Sequence, residues 1–120
     1  IEELLNTKIV ETLNIEDVTK SSEKIIFIKS LLNLKKYKKV FFLYLNINSK
    51  RFENLIEIFK ENTDFPHEII LISQKELLQV SKKDGLFLIA SPQSLKYSQI
   101  FQLSNRISVF DLNIEGIIIH

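Results

Sequence analysis

The sequence contains no cysteine, which excludes a disulfide scaffold, a thiolate metal site and all cysteine chemistry at once. Glycine and proline are scarce, two of each, so neither a collagen-like repeat nor a disordered tail is written into the composition. No charge of one sign prevails. Sixteen Lys and Arg against 15 Asp and Glu leave a formal +1, which is no global electrostatic footprint for nucleic acid. Apolar runs are short: the longest, Val40 to Leu45, is strand-sized against the ~20 residues that span a bilayer. No basic segment precedes an apolar stretch at the N-terminus, so a secretion signal has no support. Histidine occurs only at His67 and His120, with no HExxH pattern and no carboxylate cluster. No metal site and no cofactor are therefore expected.

What remains is a chain of 120 residues, 45% hydrophobic, about the modal size of one domain. Such a chain buries roughly 65% of the surface its unfolded form exposes. Its core has to come from 19 Ile, 17 Leu and 9 Phe, with a single alanine at Ala90. Large side chains with almost no small ones suit well-filled layers. The chain begins at Ile1 rather than Met and ends on Ile117-Ile118-Ile119-His120. It is expected to be a piece of a longer cytoplasmic protein.

Leu5, Ile9 and Leu13 stand four apart, which predicts a first helix over Ile1–Leu13 with an apolar stripe in need of a partner surface. Ser22 can cap a second helix carrying Ile25, Ile28 and Leu32. The run Ile25-Ile26-Phe27-Ile28 also fits a short strand, but Lys29 to Lys36 continues without a breaker, which favours helix. From Lys39 the pattern changes. Val40–Leu45, Ile69–Ile72 and Leu86–Ala90 are apolar on both faces, as in strands of a parallel sheet. Between them lie an amphipathic helix with Phe52, Leu55, Ile56 and Phe59 and a capping box at Ser73-Gln74-Lys75-Glu76 opening a short helix. Asp84-Gly85 marks a turn. Ser91-Pro92 opens a further helix or turn, and Ile107-Ser108-Val109-Phe110 is a fourth, weaker strand. The alternation predicts an α/β fold: a small four-stranded, mainly parallel sheet flanked by helices, Rossmann-like and three-layered. Residues 1–37 form a helical lead-in or the end of a preceding domain, and residues 38–120 the α/β domain.

Ligands of such sheets bind beyond the carboxyl ends of the strands. The loop Asn46-Ile47-Asn48-Ser49-Lys50-Arg51 combines a helix N-terminus, short polar side chains and two cations. Asn46, Asn48, Ser49, Lys50 and Arg51 are thus candidates for holding an anion or a phosphosugar. The loop has no glycine to let the backbone wrap a phosphate, and a turn capped by Asn48 or Ser49 accounts for the same residue types. Ala90-Ser91-Pro92 is not a nucleophile elbow. The lack of acidic residues at the first strand's end, and of an Asp near Ala90, disfavours a two-component receiver. The run Lys35-Lys36-Tyr37-Lys38-Lys39 suits a solvated helix end. Nucleic-acid contact there, as in an α/β subdomain of a DNA-associated defence protein, is a weaker alternative.

The order of elements adds a resemblance. Lys39–Leu45, Arg51–Glu61, Glu68–Ile72, then Glu76-Leu77-Leu78 and Asp84-Gly85-Leu86-Phe87-Leu88-Ile89-Ala90-Ser91-Pro92 are together similar to IIB-type domains of the bacterial sugar phosphotransferase system. Degenerate versions occur near the C-termini of transcription regulators of the Mga and BglG types. A working IIB domain of this type carries a phosphorylatable cysteine at the end of its first strand. Here that position falls at about Asn46. The resemblance therefore implies a non-enzymatic regulator version, used for subunit association in a virulence-regulator type of protein. It implies a homodimer, DNA bound by domains outside this segment, and phosphotransferase-system proteins as further partners. Leu5, Ile9 and Leu13, or the sheet edge, are the expected partner-facing positions.

Overall fold

A computed structural model of the chain describes Leu5, Thr7, Glu53 and residues 9–12, 23–35, 37–45, 56–58, 68–91 and 96–119. Among them are five strands: β1 (Ile9–Thr12), β2 (Lys39–Leu45), β3 (Glu68–Ile72), β4 (Gly85–Ala90) and β5 (Gly116–Ile119). Two α-helices, α1 (Glu23–Lys35) and α2 (Tyr97–Val109), and a 3-10 helix over Gln74–Gln79 complete the set. Glu53 and residues 56–58 are also helical. All strand pairs are parallel, in the order β1-β5-β4-β2-β3.

The central strands explain their own position. Every residue of β4 is buried, and so are Val40, Phe41, Phe42, Leu43 and Leu45 of β2, so both faces of this pair must be covered. Alternate side chains go to opposite faces. Val40, Phe42, Phe87, Ile89 and Ile118 meet Ile25, Ile28 and Leu32 of α1 together with Ile56. Phe41, Leu43, Leu86, Leu88, Ala90 and Ile117 meet Leu77 of the 3-10 helix, Leu103 of α2, Leu112 and Ile114. Phe42 and Phe87 are direct cross-strand partners, and their rings lie 5.8 Å apart at 38°. Burying each large side chain contributes about 1.5–3 kcal/mol.

Connection handedness accounts for which helix lies on which face. The connections that travel toward β3, from β1 through α1 and from β2 through residues 53 and 56–58, supply the first cluster. Those that travel back, through the 3-10 helix and α2, supply the second. A single crossover hand requires that division.

Two expectations are corrected. Ile9–Thr12 is a strand, not part of a first helix: it pairs with β5 over Ile9↔Ile117, Glu11↔Ile118 and Thr12↔Ile119, with an irregularity between Ile9 and Glu11. Ile, Val and Thr crowd this segment, and β-branched residues favour a pleated surface. The sheet therefore has five strands rather than four. Ile107–Phe110 is not a strand either. Residues 107–109 end α2, where the buried Ile100 and Leu103 and the half-buried Ile107 keep a helical period, Leu103 and Ile107 against the second cluster, and the final strand is Gly116–Ile119. The helix over 23–35 and the strands β2, β3 and β4 lie where the sequence predicts them. Sequence on both sides of position 37 contributes to the one sheet and to the cluster under α1.

The C-terminus of α2 closes with a Schellman motif. Leu112 N–H donates to Ile107 C=O at 2.9 Å and Asp111 N–H to Ser108 C=O at 3.1 Å, with Asp111 in the left-handed region at φ 55°. Leu112 and Ile107 both belong to the second cluster, which supplies the apolar contact that accompanies this cap.

Candidate functional site

In this sheet β2 leads to β3 on one side, and β4 leads to β5 on the other. The reversal falls between β2 and β4, so the crevice that open parallel sheets offer to ligands lies beyond the carboxyl ends of these two strands. The last register pair there is Leu45↔Ala90, both buried. Ser91 follows, half-buried. Asn46, Asn48, Ser49, Lys50 and Arg51, the candidate anion-binding residues, lie outside the described residues. At the end of β3, the Glu76 carboxylate accepts from both Ser73 N–H and Ser73 Oγ–H at 3.1 Å. This is the reach-back half of the expected capping box, and it commits the Ser73 hydroxyl to closing its own turn. Gln74 Oε1 accepts from Arg106 Nη1 at 2.7 Å. No group of three His, Asp or Glu residues with metal-binding geometry occurs among the described residues.

The opposite end of the sheet is a structural clasp. Tyr37 precedes β2, Gly85 opens β4 and Glu115 precedes β5. The Tyr37 hydroxyl donates to Glu115 Oε1 at 2.5 Å, and Glu115 N–H donates to Leu86 C=O at 2.7 Å. Desolvation by burial, then the hydrogen bond to Glu115 and the charge of Glu115, push the Tyr37 phenol up to about 12. It stays protonated at neutral pH and serves as a donor. Beside it is a shallow cleft of about 150 Å³ lined by Lys82, Asp84, Asp111, Asn113 and Glu115 among others. Lys82 Nζ reaches Asp111 Oδ2 at 2.5 Å, which holds the Asp111 carboxyl below its ordinary value. Thr7 Oγ1–H is shared between Leu5 C=O at 3.0 Å and Ile114 C=O at 3.1 Å.

The expected partner stripe does not lie on one helix. Leu5 is helical and half-buried against the second core cluster, Ile9 lies in β1, and Leu13 is outside the described residues. Both sheet edges are blunted by devices that discourage edge pairing. β1 is four residues long and irregular. The groove along β3, about 440 Å³, carries Glu53, Glu57 and Glu68 beside Ile69, Ile70 and Leu71. An apolar surface that the sequence reading missed lies on α2. Tyr97 is 69% exposed, Phe101 51% and Val109 79%, and the Tyr97 and Phe101 rings stack 6.4 Å apart at 14°. The signal was present as an i, i+4 aromatic pair set away from the buried Ile100 and Leu103.

Among the described residues no helix is long and apolar enough to cross a membrane. No family model, no curated protein and no solved structure matches the chain.

Proposed function

We propose that the chain is a non-catalytic regulatory and dimerisation domain, similar to a IIB domain of the phosphotransferase system, from a cytoplasmic bacterial transcription regulator. In finer terms its fold is a Rossmann-like three-layer arrangement in which β2, β3 and β4 carry the IIB-like order of elements. The observation that carries this reading is the location of the topological switch point between β2 and β4. The position that the resemblance reserves for a phosphoryl-accepting cysteine follows directly on Leu45, the last residue of a strand flanking the topological switch point. In this sequence that position is Asn46 in a chain with no cysteine at all. An amide cannot act as a thiolate nucleophile. On this reading the chain keeps the strand order around the switch point and carries an amide where the thiolate would stand, as expected of a domain kept for association.

The direct test is phosphoryl transfer. The chain is incubated with phosphorylated phosphotransferase-system carrier proteins bearing a radioactive phosphoryl group, then resolved on a denaturing gel. No label is expected on the chain. Stoichiometric label would show a phosphoryl acceptor and overturn the non-catalytic reading.

A further inference from the structure

One face of α2 turns Ile100 and Leu103 inward. On another, Tyr97, Phe101, Ser104 and Ser108 follow one another at i, i+4, i+7 and i+11 and fall in one row along the helix. The N-terminal half of that row is two stacked rings. Its C-terminal half is two hydroxymethyl groups. The only charge in α2 is Arg106, which lies outside the row and is engaged by Gln74 of its own chain. A 13-residue helix with one charge and two outward rings is an unusual surface to leave to water.

We propose that α2 packs antiparallel against α2 of a second copy of this chain, about a two-fold axis passing between positions 102 and 103. This deepens the dimerisation reading and rests on it. The axis sets Phe101 against Ser104 of the partner subunit and Tyr97 against Ser108 of the partner subunit, each contact occurring twice as isologous symmetry demands. Rings meet small side chains at every step, so the helices approach closely and each ring fills the space a serine leaves. A parallel pairing would set ring on ring at one end and leave a gap at the other. Charge points the same way. Self-pairing of α2 brings no like charges together in the row, whereas pairing two β3 edges would gather Glu53, Glu57 and Glu68 of both copies. The area sets the strength. With ring side chains of about 150–250 Å² at their present exposures, the two rings offer on the order of 250 Å² per copy. That is well below the roughly 800 Å² per partner of a standard stable interface, so the pairing is weak and readily reversible.

The chain lacks cysteine, so a single introduced thiol reports without interference. In the proposed pair the two copies of position 104 bring their Cα atoms to about 6 Å, from a close helix separation and the rise per residue, within disulfide reach. Four forms of the 120-residue chain are compared by sedimentation equilibrium and by mild oxidation: the native sequence, Phe101→Ser, Ser104→Cys and Leu34→Cys. Leu34 is exposed on α1 and serves as the collision control. Circular dichroism checks that each is folded, which the exposure of Phe101 favours. The expected result is a weak, reversible native dimer, at least tenfold weaker association in Phe101→Ser, and rapid covalent dimer in Ser104→Cys but not in Leu34→Cys. A native dimer with Phe101→Ser associating equally well, and Ser104→Cys linking no faster than Leu34→Cys, would overturn the α2 interface while leaving dimerisation intact. A native chain that stays monomeric would overturn both.

Discussion

Replacing Gly85 by alanine tests how tightly the amino end of the sheet is built. A Cβ at Gly85 would lie 2.7 Å from Tyr37 Cδ2 and 3.2 Å from its Cγ and Cε2, where unstrained carbons keep about 3.5–4.0 Å. The ring must retreat by close to an ångström, yet its hydroxyl is held by Glu115 at 2.5 Å and Glu115 is held in turn by Leu86. Overpacking of this kind costs about 1–3 kcal/mol. Loosening a hydrogen bond to a carboxylate adds about 1 kcal/mol, less than the roughly 1.5–3 kcal/mol of an intact bond to a charged group because the pair is half-buried and the bond is weakened rather than lost. Gly85 does not occupy a positive φ, so the lower entropy of the unfolded alanine chain returns about 0.4–1 kcal/mol. The net expectation is a destabilisation of about 2 kcal/mol, read as a lower urea midpoint at unchanged slope. A double-mutant cycle with Tyr37→Ala sharpens the reading. With the ring gone, Gly85→Ala should cost little or become stabilising, giving a coupling of more than about 1 kcal/mol. A Gly85→Ala chain as stable as the native one, or a cycle that closes with no coupling, would refute the clasp.

Three further outcomes follow from the same structure. Because the Tyr37 phenol is raised to about 12 from 10.0, the unfolded chain releases its proton first, so stability falls as pH rises from about 10 toward 12. In urea melts at pH 8 and pH 11, Tyr37→Phe should lose less stability between the two than the native chain does. Leu32→Ala empties a fully buried position where α1 meets Val40 and Phe42, and should cost about 2–5 kcal/mol in denaturant unfolding. Asp111→Gly places the residue suited to left-handed backbone at φ 55° and gives up only a solvent-exposed ion pair with Lys82. It should raise the thermal midpoint, whereas Asp111→Ala should lower it.

The parts of the fold legible in the sequence are those where one pattern has a single reading. Val40–Leu45, Ile69–Ile72 and Leu86–Ala90 are strand-length apolar runs bounded by polar or turn residues, and only a strand covered on both faces uses such a run. Ser73 and Glu76 mark their turn because the carboxylate reach-back needs that spacing. At Ile9–Thr12 two patterns compete. The four-apart spacing of Leu5, Ile9 and Leu13 reads as helix, while pairing with β5, a long-range contact invisible locally, makes a strand of it. At 107–110 the β-branched Ile107 and Val109 suggest a strand, but the period running back through Leu103 and Ile100 prevails, and the helix stops only where Asp111 can turn left-handed. The candidate loop Asn46–Arg51 was chosen by the rule that ligands bind beyond the carboxyl ends of the strands, and it lies outside the described residues. The row on α2 was not, because two aromatics and two serines acquire meaning only once the opposite face is known to be buried.

Sedimentation equilibrium of the native 120-residue chain, from about 5 to 500 μM, tests the central claim most directly. A reversible monomer–dimer equilibrium across that range is the predicted result. A single monomeric species at every concentration would contradict the account of a domain kept for association.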